Sequence, residues 1–319
     1  MKKQITLILL ALLSILVYTG CGVIQDTNGD ESQTICSTSE DALPTLPDTT
    51  DDDSQNEKGE EYVCIIADVA NDEYSPAVEA DYWSGTYFIK ENMSNKNCSI
   101  QGEIYEGQYI RSIVNRMNSY TTDIYRDEKN IEFGLRADTG ELAHINFMNS
   151  EFFDAVPELP DVENPYDFAI SLATEVAQEF IDDIVNYERI VEDKTTSDIP
   201  FYFVTFARKI DGYYTSDYIT VKVTTKGSIA SIMTGDIGAF DTYTSNINAN
   251  KVAQSVSQKL ESAYKNKKIT VKSTTIDDEK LVRTPNGEFC VYSEIIVNGY
   301  DESNAEIQTG VRVLTMLLK

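Results

Sequence analysis

The sequence predicts an α+β fold: a β-rich domain over residues 62–158, then two units, 159–244 and 245–319, each a helix followed by a four-stranded antiparallel meander. Three observations predict it. From Tyr62 onward Tyr, Val, Ile, Thr and Phe become frequent, residues that suit a pleated, half-buried surface. Asn164-Pro165 and Asn248 each open a run of apolar residues at helical spacing. The same order of elements follows both Asn residues, as in an internal repeat.

The β-rich domain reads as short strands at Thr86–Lys90, Ser99–Tyr105, Gln108–Val114, Asp123–Arg126, Ile131–Leu135 and Leu142–Phe147. Glu106-Gly107 supplies one turn, and Asp138-Thr139-Gly140-Glu141 a hairpin whose Gly takes positive φ. Ile110, Ile113, Val114 and Met117 also fit one helical face, which leaves that stretch open between strand and helix. In the second unit Asn164 caps and Pro165 starts a helix in which Phe168, Leu172, Ala173, Val176, Ala177, Phe180, Ile181 and Ile184 recur at helical spacing. Strands follow at Tyr187–Val191, Phe201–Ile210, Tyr218–Thr224 and Ile229–Met233, with Gly212 and Lys226-Gly227 as turns. In the third, Asn248 caps a helix carrying Val252, Val256, Leu260 and Tyr264. Its strands are Lys268–Thr274, Leu281–Thr284, Glu288–Val297 and Gln308–Leu318, with Pro285-Asn286-Gly287 turning the middle.

Composition excludes several functions. With 26 Lys and Arg against 53 Asp and Glu, the net charge is −27, which opposes nucleic-acid binding. The single His, His144, cannot furnish a multi-His metal site, and a His-based triad has no nucleophile motif beside it. Alternation places His144 on the face opposite Ala143 and Ile145, toward solvent. No GxSxG, HExxH, P-loop or dinucleotide-binding motif occurs, so neither a catalytic set nor a cofactor is expected. Asp182-Asp183 and Asp277-Asp278-Glu279 are the densest acids of the folded part, and they read as solvated faces.

The amino end has a different texture. Lys2 and Lys3 precede an apolar run, Ile5–Val17, too short to span a bilayer but suited to a signal peptide over residues 1–20. Thr19-Gly20-Cys21 then resembles a bacterial lipobox, with cleavage after Gly20 and a diacylglyceryl group on Cys21; Tyr18 stands where the pattern prefers an aliphatic residue. The resemblance implies a lipoprotein held at the outer side of the cell membrane by acyl chains. Residues 22–61 carry twelve acidic residues against Lys58 alone. With Cys21 they read as a disordered tether spanning roughly 35 Å.

The helix Phe168–Ile184, the strand Phe201–Ile210, the hairpin Lys209–Tyr214 and the strand pair Thr220–Ile232 resemble the PepSY-like and YcdB/YcdC-type domains of secreted proteins. That resemblance implies cystatin-like α+β modules that bind or regulate, often beside secreted peptidases, with no catalytic residues.

With Cys21 assigned to lipid, Cys36, Cys64, Cys98 and Cys290 remain. They are open to free thiols or to disulfides, for which Cys64–Cys98 and Cys36–Cys290 are natural pairings. Tyr82, Trp83, Tyr213, Tyr214 and Tyr218 are candidate binding aromatics, or strand residues that pack a ring and wet a hydroxyl. The expected function is a non-catalytic surface lipoprotein that binds or restrains a protein partner, a peptidase being one candidate, with a basic surface complementary to this acidic chain. The alternatives are a glycan- or solute-binding lipoprotein and a carboxylate-based envelope hydrolase.

Overall fold

Strands make up about half of the described residues. The computed structural model describes residues 62–70, 72–79, 86–114, 120–148, 164–195, 201–244, 247–284 and 287–317. The expected signal peptide, Gly20, Cys21, Cys36, the acidic tether, Tyr82, Trp83 and Met117 lie outside the described residues. In order, the elements are β1 (Tyr62–Val69), β2 (Thr86–Phe88), β3 (Lys96–Ile100), β4 (Glu103–Val114), β5 (Thr121–Arg126), β6 (Glu132–Arg136) and β7 (Leu142–Asn146), then helix α1 (Pro165–Ala177). They continue with β8 (Tyr187–Asp193), β9 (Phe201–Ile210), β10 (Tyr213–Thr224), β11 (Ile229–Thr234), helix α2 (Ala249–Asn266), β12 (Thr270–Arg283), β13 (Phe289–Tyr300) and β14 (Glu306–Leu317).

This corrects the expected fold class. The described strands do not divide into a β-rich domain and two cystatin-like units; they form one mixed sheet of 14 strands, with two α-helices among the described residues. Its order runs β1-β14-β13-β12-β10-β11-β7-β6-β5-β4-β2, with β3 paired to β4 and β8-β9 paired onto β10. The described strands on either side of residues 158 and 244 belong to that one sheet, and residues 61–319 cluster as one compact unit.

Three local corrections explain the difference. First, β1 pairs antiparallel with β14, Tyr62 opposite Leu317, so the fourth strand of the carboxy-terminal meander comes from the start of the folded chain. Second, the expected strands Lys268–Thr274 and Leu281–Thr284 are parts of the single strand β12, which absorbs its polar middle with register shifts at Val271/Ser273 and Ile276/Asp278. Third, the turn between β3 and β4 lies at Gln101-Gly102, both at positive φ (51° and 78°), not at Glu106-Gly107. Gly107 sits inside β4 because a Cβ there would come within 2.7 Å of the Phe133 ring. The stretch through Ile110 and Ile113 is strand, bulged between Tyr109 and Arg111.

Both helix starts match the sequence. Asn164 accepts from the Asp167 amide with Pro165 in the first turn, and Asn248 accepts from the Lys251 amide. Helix α1 ends at Ala177, short of the expected Ile184; Asp182 and Asp183 would oppose the helix dipole at a longer carboxy end. Ala169, Ala173, Val176 and Ala177 form its buried stripe. The small side chains let α1 lie close on β9 and β10, over Val204, Ile219, Val221 and Ile232. Helix α2 buries Val252, Val256, Leu260 and Tyr264 against β1, β12 and β14.

The two halves of the sheet meet on β10. One edge of β10 pairs with β9 along its length. The other edge pairs in parallel with β12 at Tyr214 and Thr215, then antiparallel with β11 from Ile219 to Val223. Between these pairings Asp217 is fully buried.

Candidate functional site

The sheet face turned away from α1 carries a polar strip. Along β10, Val221 and Val223 face the α1 core, so Lys222 and Thr220 take the other face. The same alternation on β11 and β7 puts Ser231, Met233, His144 and Asn146 there. Register then aligns Lys222 with Ser231, Ser231 with Asn146, and Asn146 with Glu132 of β6. One row below, Thr220 stands opposite Met233, and Met233 opposite His144.

Lys222 is the unusual member. The residue is only 7% exposed. Its Nζ lies 4.0 Å from the Phe201 ring centre, 5.0 Å from that of Phe203 and 3.5 Å from Met148 Sδ. Burial lowers its pKa, with no charged neighbour contributing. Lys280 of β12, equally buried, has Asp278 Oδ2 at 2.5 Å. Among the described residues Lys222 has no such carboxylate.

His144 lies opposite Ala143 and Ile145, as alternation requires, but it does not face open solvent. Its ring covers Gly134, where any Cβ would collide with it. Burial lowers its pKa below the ordinary value; Glu132 raises it and Arg111 lowers it further. Glu132 is held by Arg126 at 3.0 Å and Arg111 at 3.7 Å.

A second feature adjoins the strip. β4 begins pairing with β5 only at Gln108, so β3 and the first half of β4 run on as a two-stranded arm. The arm folds toward α1: the Gln101 amide donates to the Glu179 carboxylate at 3.0 Å, and the Tyr105 ring meets Phe147 edge-on at 5.5 Å. Between the arm and the turn after β5 lies a cleft of 660 Å³. Its lining includes Glu103, Glu106, Asp127 and Glu128 against Arg126 and Lys129. Ile104, 71% exposed, and the rings of Tyr105 and Tyr109 give it apolar wall. Tyr105 donates to Glu103 at 2.9 Å, and burial followed by that carboxylate raises its pKa strongly.

The cleft is braced from behind. Asp123 receives Lys90 Nζ at 2.6 and 2.9 Å and the Ser112 hydroxyl at 2.5 Å. Ser112 bonds Tyr109 at 2.8 Å, and the Tyr109 hydroxyl accepts the Lys90 amide at 3.0 Å. This closed ring of bonds fixes Tyr109 and the chain after β2, where Ile89 stays exposed, as does Tyr87 within β2.

The residues singled out in the sequence fall elsewhere. Tyr213 and Tyr218 are buried, and Tyr214 donates to Glu188 at 2.7 Å with Lys209 over its ring. They do not form one exposed aromatic set. Cys64, Cys98 and Cys290 are free thiols. Cys64 lies on β1 and Cys98 on β3, at opposite ends of the strand order, so the Cys64–Cys98 pairing is not made. Cys290 is buried on β13, while its expected partner Cys36 lies outside the described residues. Asp278 holds Lys280, and Glu279 is half-buried beside Ser293, so neither is a freely solvated acid. Among the described residues no three His, Cys, Asp or Glu side chains gather as metal ligands.

Neither Lys222 nor the cleft was singled out by sequence reasoning. Lys222 sits in Thr-Val-Lys-Val-Thr, whose alternation reads as an ordinary solvent-facing lysine. The only signal was the pair of Phe residues two apart in Phe201-Tyr202-Phe203, which places both rings on one face of the neighbouring strand. Compared with protein-family models, curated proteins and solved structures, the chain matches none.

Proposed function

We propose that this protein is a non-catalytic lipoprotein, anchored through Cys21 at the outer side of a bacterial membrane, that binds an extracytoplasmic protein partner in the acidic cleft beside β4. The observation that carries the binding part is the cleft's lining, four carboxylates against two cations beside an exposed Ile104. Arg126 is already paired with Glu132, which leaves the lining acidic in effect. An extended segment with basic and apolar side chains is the complementary occupant. The anchoring part rests on the amino-terminal sequence. No helix among the described residues is long and apolar enough to cross a membrane.

Two measurements test the reading separately. Membrane fractionation of cells carrying Cys21→Ser tests the anchor: the variant should leave the membrane fraction, and a variant retained there after signal cleavage refutes lipidation. A photo-crosslinking side chain at Ile104 of the full chain, in intact cells, tests the partner. One discrete adduct is expected, weakened by Glu106→Lys together with Asp127→Lys. An adduct indifferent to those reversals refutes the cleft, and so does the lack of any adduct.

A further inference from the structure

Among the described residues Lys222 has no carboxylate that accounts for its charge. A buried ammonium ordinarily neutralises or acquires a carboxylate. Lys280 follows that rule through Asp278. Lys222 instead rests against two aromatic faces and a thioether. Such faces attract a cation, by about 0.5–2 kcal/mol, but satisfy no N–H as an oxygen acceptor would.

The row beside it offers further donors. Ser231, directly opposite Lys222, has a half-buried hydroxyl with no hydrogen bond among the described residues. Asn146, opposite Ser231, uses its side-chain oxygen to accept the Met148 amide at 2.9 Å. That assignment leaves the Asn146 amide N–H groups as donors without a described acceptor. One ammonium, one hydroxyl and one amide thus lie in a row across β10, β11 and β7, with no acid among them. The nearest acid along the row, Glu132, is taken by Arg126 and Arg111. In a chain of net charge −27, a donor row without a described carboxylate is electrostatically suited to an anion.

We infer that Lys222, Ser231 and Asn146 form a binding site for a small carboxylate that carries an apolar body. Lys222 and Ser231, direct cross-strand neighbours, suit the two oxygens of one carboxylate, with the Asn146 amide one strand further along the row. A phosphate dianion would bring more charge and more acceptors than they answer. Phe201, Phe203, Met148 and Met233 border the row and would receive the apolar part of the ligand. Such a carboxylate could belong to a free acid or to the carboxy terminus of a peptide. The site is separate from the acidic cleft, which selects the opposite charge.

The test is a calorimetric titration of the full chain with 3-phenylpropionate and, in parallel, with N-acetylphenylalanine. The neutral amide of each and inorganic phosphate are the controls. Saturable binding of at least one carboxylate is expected, with none by the amides. Binding of 3-phenylpropionate alone assigns free acids, and of N-acetylphenylalanine alone a peptide terminus. Lys222→Met should fold, since it replaces a buried charge with an apolar chain, and should lose binding about tenfold or more. Ser231→Ala should weaken it severalfold. Equal binding by Lys222→Met overturns the proposal, as does preference for phosphate or the amides, or no saturable binding by the wild-type chain.

Discussion

Tyr187 of β8 donates its hydroxyl to Asp217 of β10 at 2.6 Å, over a carboxylate with no exposure to solvent. Asp217 also accepts the Gly238 amide at 3.1 Å and has Arg208 at 3.7 Å. Burial raises its pKa in spite of these partners. The group therefore stands where β10 leaves β12 for β11, and its bonds hold that junction rather than a reaction.

Replacing Tyr187 with Phe should cost about 1–3 kcal/mol, the range for a buried acceptor deprived of a donor. The sign with pH follows from the raised pKa. Between the unfolded value and the folded one the native state holds more protons, so this group's contribution to stability falls as pH rises through that window. The deficit of Tyr187→Phe should accordingly be larger at neutral pH than near pH ~2.5, where the carboxyl is protonated in both states. Urea unfolding at the two pH values measures it, and an equal deficit at both would show that the hydroxyl does not serve the charged form.

Gly235→Ala should be far worse. A Cβ at Gly235 collides with the backbone oxygen of Ser216 and approaches the Tyr218 ring at 2.6 Å. The Gly235 amide bonds the Tyr218 carbonyl at 2.8 Å, and the Asp236 amide bonds Ser216 at 2.7 Å. Because backbone rather than a flexible side chain must yield, a loss of about 3 kcal/mol or more is expected. Gly134→Ala is the comparison, since there two side chains, the His144 ring and the Thr122 methyl, rather than backbone must yield. Thermal unfolding of the pair should rank Gly235→Ala clearly lower; equal melting temperatures would contradict the junction's rigidity.

His144 should make the protein acid-sensitive. Its folded pKa lies below the unfolded one, so the unfolded chain gains a proton first as pH falls. The stability contribution is complete above pH ~6.5 and declines below it. His144→Gln should flatten the melting temperature between pH ~6.5 and ~5 relative to wild type. Profiles that remain parallel would show that the ring is not held neutral.

The three described thiols should differ in reactivity. Burial pushes Cys98 and Cys290 up to about 12, and it raises Cys64 while a hydrogen bond with Thr315 opposes it. Only a thiolate alkylates readily, so native iodoacetamide should label half-buried Cys64 first, with Cys98 and Cys290 reacting after unfolding. Peptide mapping by mass spectrometry reads the order. A Cys64–Cys98 disulfide peptide would contradict the free thiols.

What could be read from sequence was local. Asn164-Pro165 and Asn248 reveal their helices because a cap is satisfied within three residues. Gly140 and Gly227 sit at positive φ in the turns expected of them. What could not be read depended on distant partners. β1 has no amphipathic signature of its own beyond eight residues, and its mate β14 lies at the other end of the chain. The polar middle of β12 breaks the apolar pattern, yet pairing with β13 carries the strand through. Gly107 looks like a turn until Phe133 is placed beside it. Lys222 acquires its meaning from Phe201, Phe203 and Met148, none of which adjoins it in sequence.

The pairing of Tyr62 with Leu317 also sets a timetable. A ribosome makes the first of these residues long before the second, so the strand that opens the fold must wait for the strand that closes it. Closing so long a loop raises the contact order, which slows folding. Until β14 arrives, β1 has bare backbone groups and the face under α2 lacks its outer strand. Losing the last dozen residues would undo the chain's beginning as well as its end. Relinking residue 317 to residue 62 and opening the chain at Lys226-Gly227 would turn the slowest pairing into a local hairpin.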